Sequence, residues 1–281
     1  MTAILEAIGV NKTFGAVTAA KDINVAIEKD EIVGIIGANG AGKTTFVNMV
    51  TGWLPPSSGS IRFDGRDITG VAPRKLTRMG ICRSFQVAQV FMTATVFDNL
   101  MIALGIADSR GLGALLPLRS RSREARADAI LARYQMQAYR DQAASTLPQG
   151  VRKLLDIAMA MVAGPQVLLL DEPTSGISSE EKFELMDIVM GVLREEGVTV
   201  LFVEHDMEIV SRYVSRVLAF YQGEIICDAP PAEALADARV KEFVIGEDLH
   251  NQSLSLNGAL GETFAPAGVQ AGVREVGDAL S

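Results

Sequence analysis

Apolar positions in this chain fall into two kinds of run. Ile32–Ile36, Ile81–Phe85, Val167–Leu170, Val198–Val203 and Val217–Tyr221 are short, rich in β-branched residues and read as strands. A strand with one face in water alternates apolar and polar positions. Val167–Leu170 and Val198–Val203 do not, so both are expected to be buried on two faces, as in a parallel sheet covered by helices. Between them, Ser178-Ser179-Glu180-Glu181 has the form of a capping box that opens a helix. Leu185, Ile188, Val189, Val192 and Leu193 then recur at the spacing of one helix face. The unit is strand–helix–strand, and the fold class is α/β.

Residues from about 96 to 163 break this rhythm with helical patterns and few strand signals, as an insertion between two strand-bearing stretches would. Arg119–Arg126 holds four arginines there and reads as a solvated helix face. After about residue 248 the pattern dissolves into Asn, Ser, Gly and Ala, so 249–281 is expected to be a flexible C-terminal tail, with transient helix near Val273.

Composition narrows the classes. The 281 residues are 48% hydrophobic and 21% charged, ordinary globular usage. Lys and Arg number 26 against 34 Asp and Glu, a net charge of −8, which argues against a nucleic-acid partner. Cys82 and Cys227 have no metal-ligand neighbours, which excludes a disulfide scaffold or a cysteine-based zinc site. Met1–Thr13 has no long apolar stretch and is not a signal peptide. Ile157–Leu170, the most apolar stretch, is interrupted by Gly164-Pro165-Gln166 and falls short of the ~18 apolar residues a membrane span needs.

Chemistry concentrates at strand ends. Gly37-Ala38-Asn39-Gly40-Ala41-Gly42-Lys43-Thr44-Thr45 follows the first strand and matches G-x-x-x-x-G-K-[ST]. Phosphates need several backbone N–H donors at close range. Gly37, Gly40 and Gly42 would clear the approach, and a helix starting near Gly42 would aim its positive end at the anion. Lys43 would reach the β- and γ-phosphates, and Thr44 would hold Mg²⁺. Asp171, at the end of Val167–Leu170, would be the acidic Mg²⁺ partner, with Glu172 polarising the attacking water. His205, ending another buried strand, can hydrogen-bond a γ-phosphate or that water, although a lone histidine is more often structural. His250 is assigned no role.

Taken together, these residues resemble the ATP-binding subunit of ABC transporters over about residues 4–248. Gly37–Thr45 corresponds to Walker A, Val167–Glu172 to Walker B and His205 to the switch histidine. By resemblance Gln86 is the Q-loop glutamine, sensing the γ-phosphate and Mg²⁺ and facing the membrane subunits, and Phe14 is the aromatic that stacks on adenine. The branched-chain amino-acid importer ATPases are most similar, through Arg83-Ser84-Phe85-Gln86, Thr95-Val-Phe-Asp-Asn-Leu100, Glu204-His205-Asp206 and the Arg-rich helical insertion. The resemblance implies a RecA-like parallel core (about 1–90 and 164–248), an antiparallel β subdomain and an inserted helical subdomain (about 91–163). It also implies ATP and Mg²⁺ as ligands, polytopic membrane subunits and a second ATPase subunit, different or identical, as partners, and indirectly a periplasmic substrate-binding protein. The place of work would be the cytoplasmic face of the inner membrane.

Two departures stand out. The family signature L-S-G-G-Q reads here Leu147-Pro148-Gln149-Gly150-Val151, and Pro148 has neither hydroxyl nor N–H to offer a nucleotide held by the opposite subunit. The D-loop aspartate is replaced by Ser178. Each lost hydrogen bond to a charged group costs on the order of 1.5–3 kcal/mol. Pro148 can still start the following helix, leaving the Gly150 amide available. Paired with a different ATPase subunit, this chain would form one fast and one slow site. Cargo is not legible in nucleotide-site residues: a lipopolysaccharide-export ATPase, similar also in Val244-Ile-Gly-Glu-Asp248, and a urea or amide importer are the alternatives. A GTPase reading fails because Asn11-Lys12-Thr13-Phe14 precedes the glycine-rich loop and lacks the Asp of N-K-x-D.

Overall fold

The computed structural model describes residues 3–84, 88–108 and 119–246. The chain opens with a long hairpin, β1 (Ala3–Phe14) and β2 (Val17–Glu28), followed by β3 (Ile32–Gly37) and helix α1 (Lys43–Val50). Next come β4 (Ser58–Phe63), β5 (Arg66–Asp67), α2 (Pro73–Met79) and β6 (Ile81–Ser84). Three helices, α3 (Val96–Asp108), α4 (Arg121–Arg133) and α5 (Gln149–Met161), precede β7 (Val167–Asp171). The last third runs α6 (Ser179–Glu195), β8 (Thr199–Val203), α7 (Met207–Tyr213), β9 (Arg216–Tyr221), β10 (Glu224–Ala229) and α8 (Pro231–Ala236).

Two sheets result. The larger has order β10-β9-β3-β8-β7-β6, parallel from β9 to β6 with β10 antiparallel on one edge. The smaller, β2-β1-β4-β5, is antiparallel. Continuous apolarity in the larger sheet has a direct cause. Leu168, Leu170, Val200 and Phe202 face one core shared with α3, α5 and α6, whereas Val167, Leu169, Leu201 and Val203 face a second core shared with α1 and the small sheet. Each strand residue has a dry side to fill, so no polar alternation survives.

The five strands read from the sequence are present with ends shifted by a residue or so; Phe85 lies outside the described residues. Ser178 caps α6 as the capping box predicts, its Oγ accepting from the Glu181 N–H at 3.3 Å. Leu185, Val189, Val192 and Leu193 are buried beneath that helix. β1 and β2 are not among the five strands read from the sequence, and for β1 the register explains why. Bulges interrupt their pairing between Ala3 and Leu5, Ala7 and Val10, Val10 and Lys12, and Lys12 and Thr13. In β1 each bulge resets the phase of inward-facing residues, so period-two alternation is lost, whereas β2 keeps it from Ile23 through Val25 to Ile27.

The Arg119–Arg126 stretch is a solvated face at Arg119, Arg121 and Arg126, and Arg123 departs from it. Arg119 pairs with Asp98, and Arg123 and Arg126 both pair with Asp108. The Arg123 side chain is 7% exposed, so these ion pairs latch α4 against α3. The two guanidinium groups hold the Asp108 carboxyl below its ordinary range, chiefly through the hydrogen bond from Arg123.

Candidate nucleotide site

Parallel strands deliver their carboxyl ends to one edge of the sheet, and that edge carries the site. Ile35 of β3 pairs with Val203 of β8, and Val203 pairs with Asp171 of β7. The glycine-rich loop after β3, Glu172 after β7 and Glu204-His205 after β8 therefore leave the sheet side by side.

The loop itself is shaped by backbone packing. Gly37 has φ +152, and a Cβ there would lie 2.5 Å from the Phe220 carbonyl oxygen. Gly42, at φ +107, would bring a Cβ within 2.6 Å of the Ala19 carbonyl oxygen. The space these two glycines leave is thus occupied by neighbouring protein backbone. Gly40, where a Cβ would meet nothing within 4 Å, is the one that faces open space. Ala38 and Ala41 are buried, Asn39 exposed. Helix α1 starts at Lys43 without a side-chain cap or an acidic residue in its first turn, which leaves its positive end for an anion. Lys43 is buried, and its Nζ donates to the carbonyls of Gly37 and, at 3.0 Å, Ala38. Thr44 is exposed and Thr45 half-buried at the start of the same helix.

Opposite the loop, Asp171 is held by Arg83 of β6, the two side chains being 13% and 10% exposed. The second arm of Arg83 donates to Asn48 Oδ1 of α1 at 2.6 Å. Glu172 adopts the left-handed region, φ +46, and its N–H donates to the Val203 carbonyl at 2.9 Å. His205 Nε2 lies 3.2 Å from Glu172 Oε1, so the two strand-end residues singled out as polarising base and switch histidine are in contact. Both are partly open, at 29% and 24%.

Several charged residues behind this pair have no role assigned from sequence. Glu204 is buried and accepts from the Thr174 N–H at 3.0 Å and the Thr174 hydroxyl at 2.5 Å. Burial pushes its carboxyl up, and the accepted hydrogen bonds pull it back. Lys153 of α5, 3% exposed, donates to the Glu172 carbonyl at 3.4 Å. Burial depresses its ammonium while Asp156, Asp171, Glu204 and Glu172 counter the effect. The signal for such residues is a charge set inside an apolar pattern: Arg83 within Ile81–Phe85, Glu204 closing Val198–Val203, and Lys153 and Asp156 on the inner face of α5.

Phe14 is 50% exposed at the tip of the β1–β2 hairpin, with Lys12 Nζ 5.2 Å from its ring centroid, and is not a core residue. In the 147–151 stretch, Leu147 is buried and Pro148 takes the N-cap of α5, one position before the first helical residue. Gln149 donates to the Ser175 carbonyl at 3.1 Å, which joins the two stretches that depart from the family pattern. Gly150 and Val151 are half-buried in the first turn of α5. Gln86 lies outside the described residues.

The donor set suits Mg²⁺. Among the described residues no three His, Cys, Asp or Glu side chains gather into a metal cage. A threonine hydroxyl and one carboxylate fit the way Mg²⁺ is held, with waters and substrate phosphates completing its shell.

Comparison with known proteins accords with this geometry. The ABC transporter family model matches residues 20–175. The high-affinity branched-chain amino acid transport ATP-binding protein BraF of Pseudomonas aeruginosa is 34% identical over 87% of this chain and 98% of its own. The corresponding LivG of Escherichia coli is 31% identical, with the same coverage. The lipopolysaccharide export system ATP-binding protein LptB of Escherichia coli is 33% identical over 88% of this chain and 98% of its own. Among solved structures, an ATP-binding cassette of an ABC transporter in its ADP conformation superposes with a TM-score of 0.77 at 29% identity, covering 86% of this chain and 98% of that one. With the glycine-rich loop, the strand-end carboxylates and the histidine on one sheet edge, the chain belongs to the ABC transporter family as one of its ATP-hydrolysing, ATP-binding cassettes.

Proposed function

We propose that this chain is the ATP-hydrolysing motor subunit of an importer for branched-chain or related amino acids. The observation that carries the hydrolytic part is the Glu172–His205 contact at 3.2 Å beside the Lys43 loop. Amino-acid cargo rests on the BraF and LivG relatives.

In this reading the uncapped start of α1 and the Lys43 ammonium receive the phosphates, and Phe14 offers its exposed ring to the adenine. Lys43 leaves the Gly37 and Ala38 carbonyls for the phosphate oxygens, exchanging neutral acceptors for charged ones. Thr44 and Asp171 would hold Mg²⁺, which would supply charge neutralisation on the phosphates. Glu172 takes a proton from the attacking water, and His205 orients the carboxylate and the terminal phosphate.

Coupling to transport needs a surface for membrane subunits. Among the described residues no helix is long and apolar enough to cross a membrane. A groove of about 660 Å³ runs between α2, β6, α3 and α5, with Arg74 and Arg78 on one wall and Ala103, Ile106 and Ala160 on the other. Ile106 is exposed on that wall, Phe91 and Met92 are exposed ahead of α3, and Val90 is packed against the core. This groove is where a cytoplasmic helix of polytopic membrane subunits would dock, at the inner face of the plasma membrane. A second ATPase subunit would complete each nucleotide site with its own signature stretch, and a periplasmic binding protein would deliver cargo.

The test is an affinity pull-down of the tagged chain from detergent-solubilised membranes with mass spectrometry. Two polytopic subunits plus a second, different ATPase are expected. Recovery as a homodimer on export-type membrane subunits would favour the second reading, which the 33% identity to LptB supports.

A further inference from the structure

Asp156 lies on α5, the helix that begins at the Leu147–Val151 stretch, and is 6% exposed. Both of its carboxylate oxygens are engaged by residues outside that helix. The Ser84 hydroxyl donates to Oδ2 at 2.5 Å, and the Gln89 N–H donates to Oδ1 at 2.8 Å. In the sequence Ser84 and Gln89 flank Gln86.

The neighbouring residue on β6 faces the other way. Arg83 engages Asp171 and Asn48 on the nucleotide side of the strand, as the alternation of a strand requires. At the C-terminal end of β6, consecutive side chains thus bind the strand to the Walker B carboxylate and to the signature helix. Apolar contacts between a helix and a strand permit sliding. Two buried, charge-assisted hydrogen bonds to one carboxylate do not, because any slide leaves a buried charge short of partners.

We propose that Asp156 is a positioning residue that fastens α5 to Ser84 and Gln89, so that displacement of α5 and occupancy of the nucleotide site are coupled through the end of β6. The proposal rests on the reading of the glycine-rich loop and Asp171 as an Mg·ATP site.

The test is hydrogen–deuterium exchange with mass spectrometry on the full chain, with and without Mg²⁺ and the non-hydrolysable analogue AMP-PNP. Nucleotide affinity is measured separately by calorimetry. In the wild type, AMP-PNP is expected to change exchange in peptides from α5 as well as at the loop. Asp156→Asn keeps one acceptor for Gln89 and one polar partner for Ser84, so its α5 response should match the wild type. Asp156→Leu should bind AMP-PNP within about twofold of wild type yet lose the α5 response about tenfold. Ser84→Ala removes one bond and no charge, and carries the test should Asp156→Leu fail to fold; its α5 response should fall about twofold or more. A full α5 response in the Leu and Ala variants, or none in a wild type that binds nucleotide, overturns the proposal. A wild type that fails to bind AMP-PNP overturns the reading of the site and this proposal with it.

Discussion

Glu172 sits at φ +46, a conformation that costs a non-glycine residue roughly 1–2 kcal/mol, while its carboxylate lies against His205. The surroundings that hold it there are the Val203 carbonyl and the Lys153 side chain. Glu172→Gln keeps this geometry and removes the proton acceptor. Turnover should fall about 10²–10⁴-fold with nucleotide affinity retained, measured by phosphate release and equilibrium binding. Lys43→Ala should weaken ATP binding about 10–100-fold, the worth of a charge-assisted hydrogen bond. Wild-type affinity in that variant would refute the role given to Lys43. Glu204 supplies a pH test. Burial raises its folded-state pKa above the ordinary 4.5, so the folded chain binds more protons there than the unfolded chain. Its contribution to stability is present below pH 4.5 and is lost as pH rises through the raised value. Urea unfolding should therefore show Glu204→Gln gaining on wild type as pH climbs from about 4.5 toward neutrality.

At the scale of elements, the loop and the α3–α4 latch make separate demands. A methyl group at Gly42 meets the Ala19 carbonyl at 2.6 Å in a left-handed conformation, so Gly42→Ala should lower the thermal midpoint as well as nucleotide affinity. Arg123→Ala leaves Asp108 with Arg126 alone and empties a buried guanidinium site. It should cost about 2 kcal/mol in chemical unfolding while leaving nucleotide affinity unchanged. Elements differ in how openly the sequence displays them. The capped helix α6 and the two-faced strands β7 and β8 are written in local pattern, because each buries its apolar residues in one continuous register. β1 is not, because bulges shift its inward phase several times, and β2 shows period two only in its second half, at Ile23, Val25 and Ile27.

For the molecule as a whole, the prediction concerns pairing. Pro148 takes the N-cap place where the family signature has a serine, so a site built from this chain's signature stretch lacks that hydroxyl. Pro148→Ser should raise turnover at that site by about 10–100-fold if the loss is worth about 1.5–3 kcal/mol. The measurement is ATPase rate in a complex whose other site is silenced through Glu172→Gln in this chain. No gain on Pro148→Ser would show that the Gln149–Ser175 contact, or the Gly150 amide, already serves the site.

Local pattern is enough to establish the α/β class, the glycine-rich loop after β3, the strand-end positions of Asp171, Glu172 and His205, and the family. These are short-range facts: a motif of nine consecutive residues and apolar runs that end on a charge. Which residue holds which emerges only once the chain is folded. Arg83 reaches Asp171 across neighbouring strands, Glu204 pins Thr174, and Asp156 joins Ser84 to Gln89 from a helix more than sixty residues away along the chain. No local pattern encodes those partners, because a buried charge announces only that it must be paired; the packing of strands and helices settles with what.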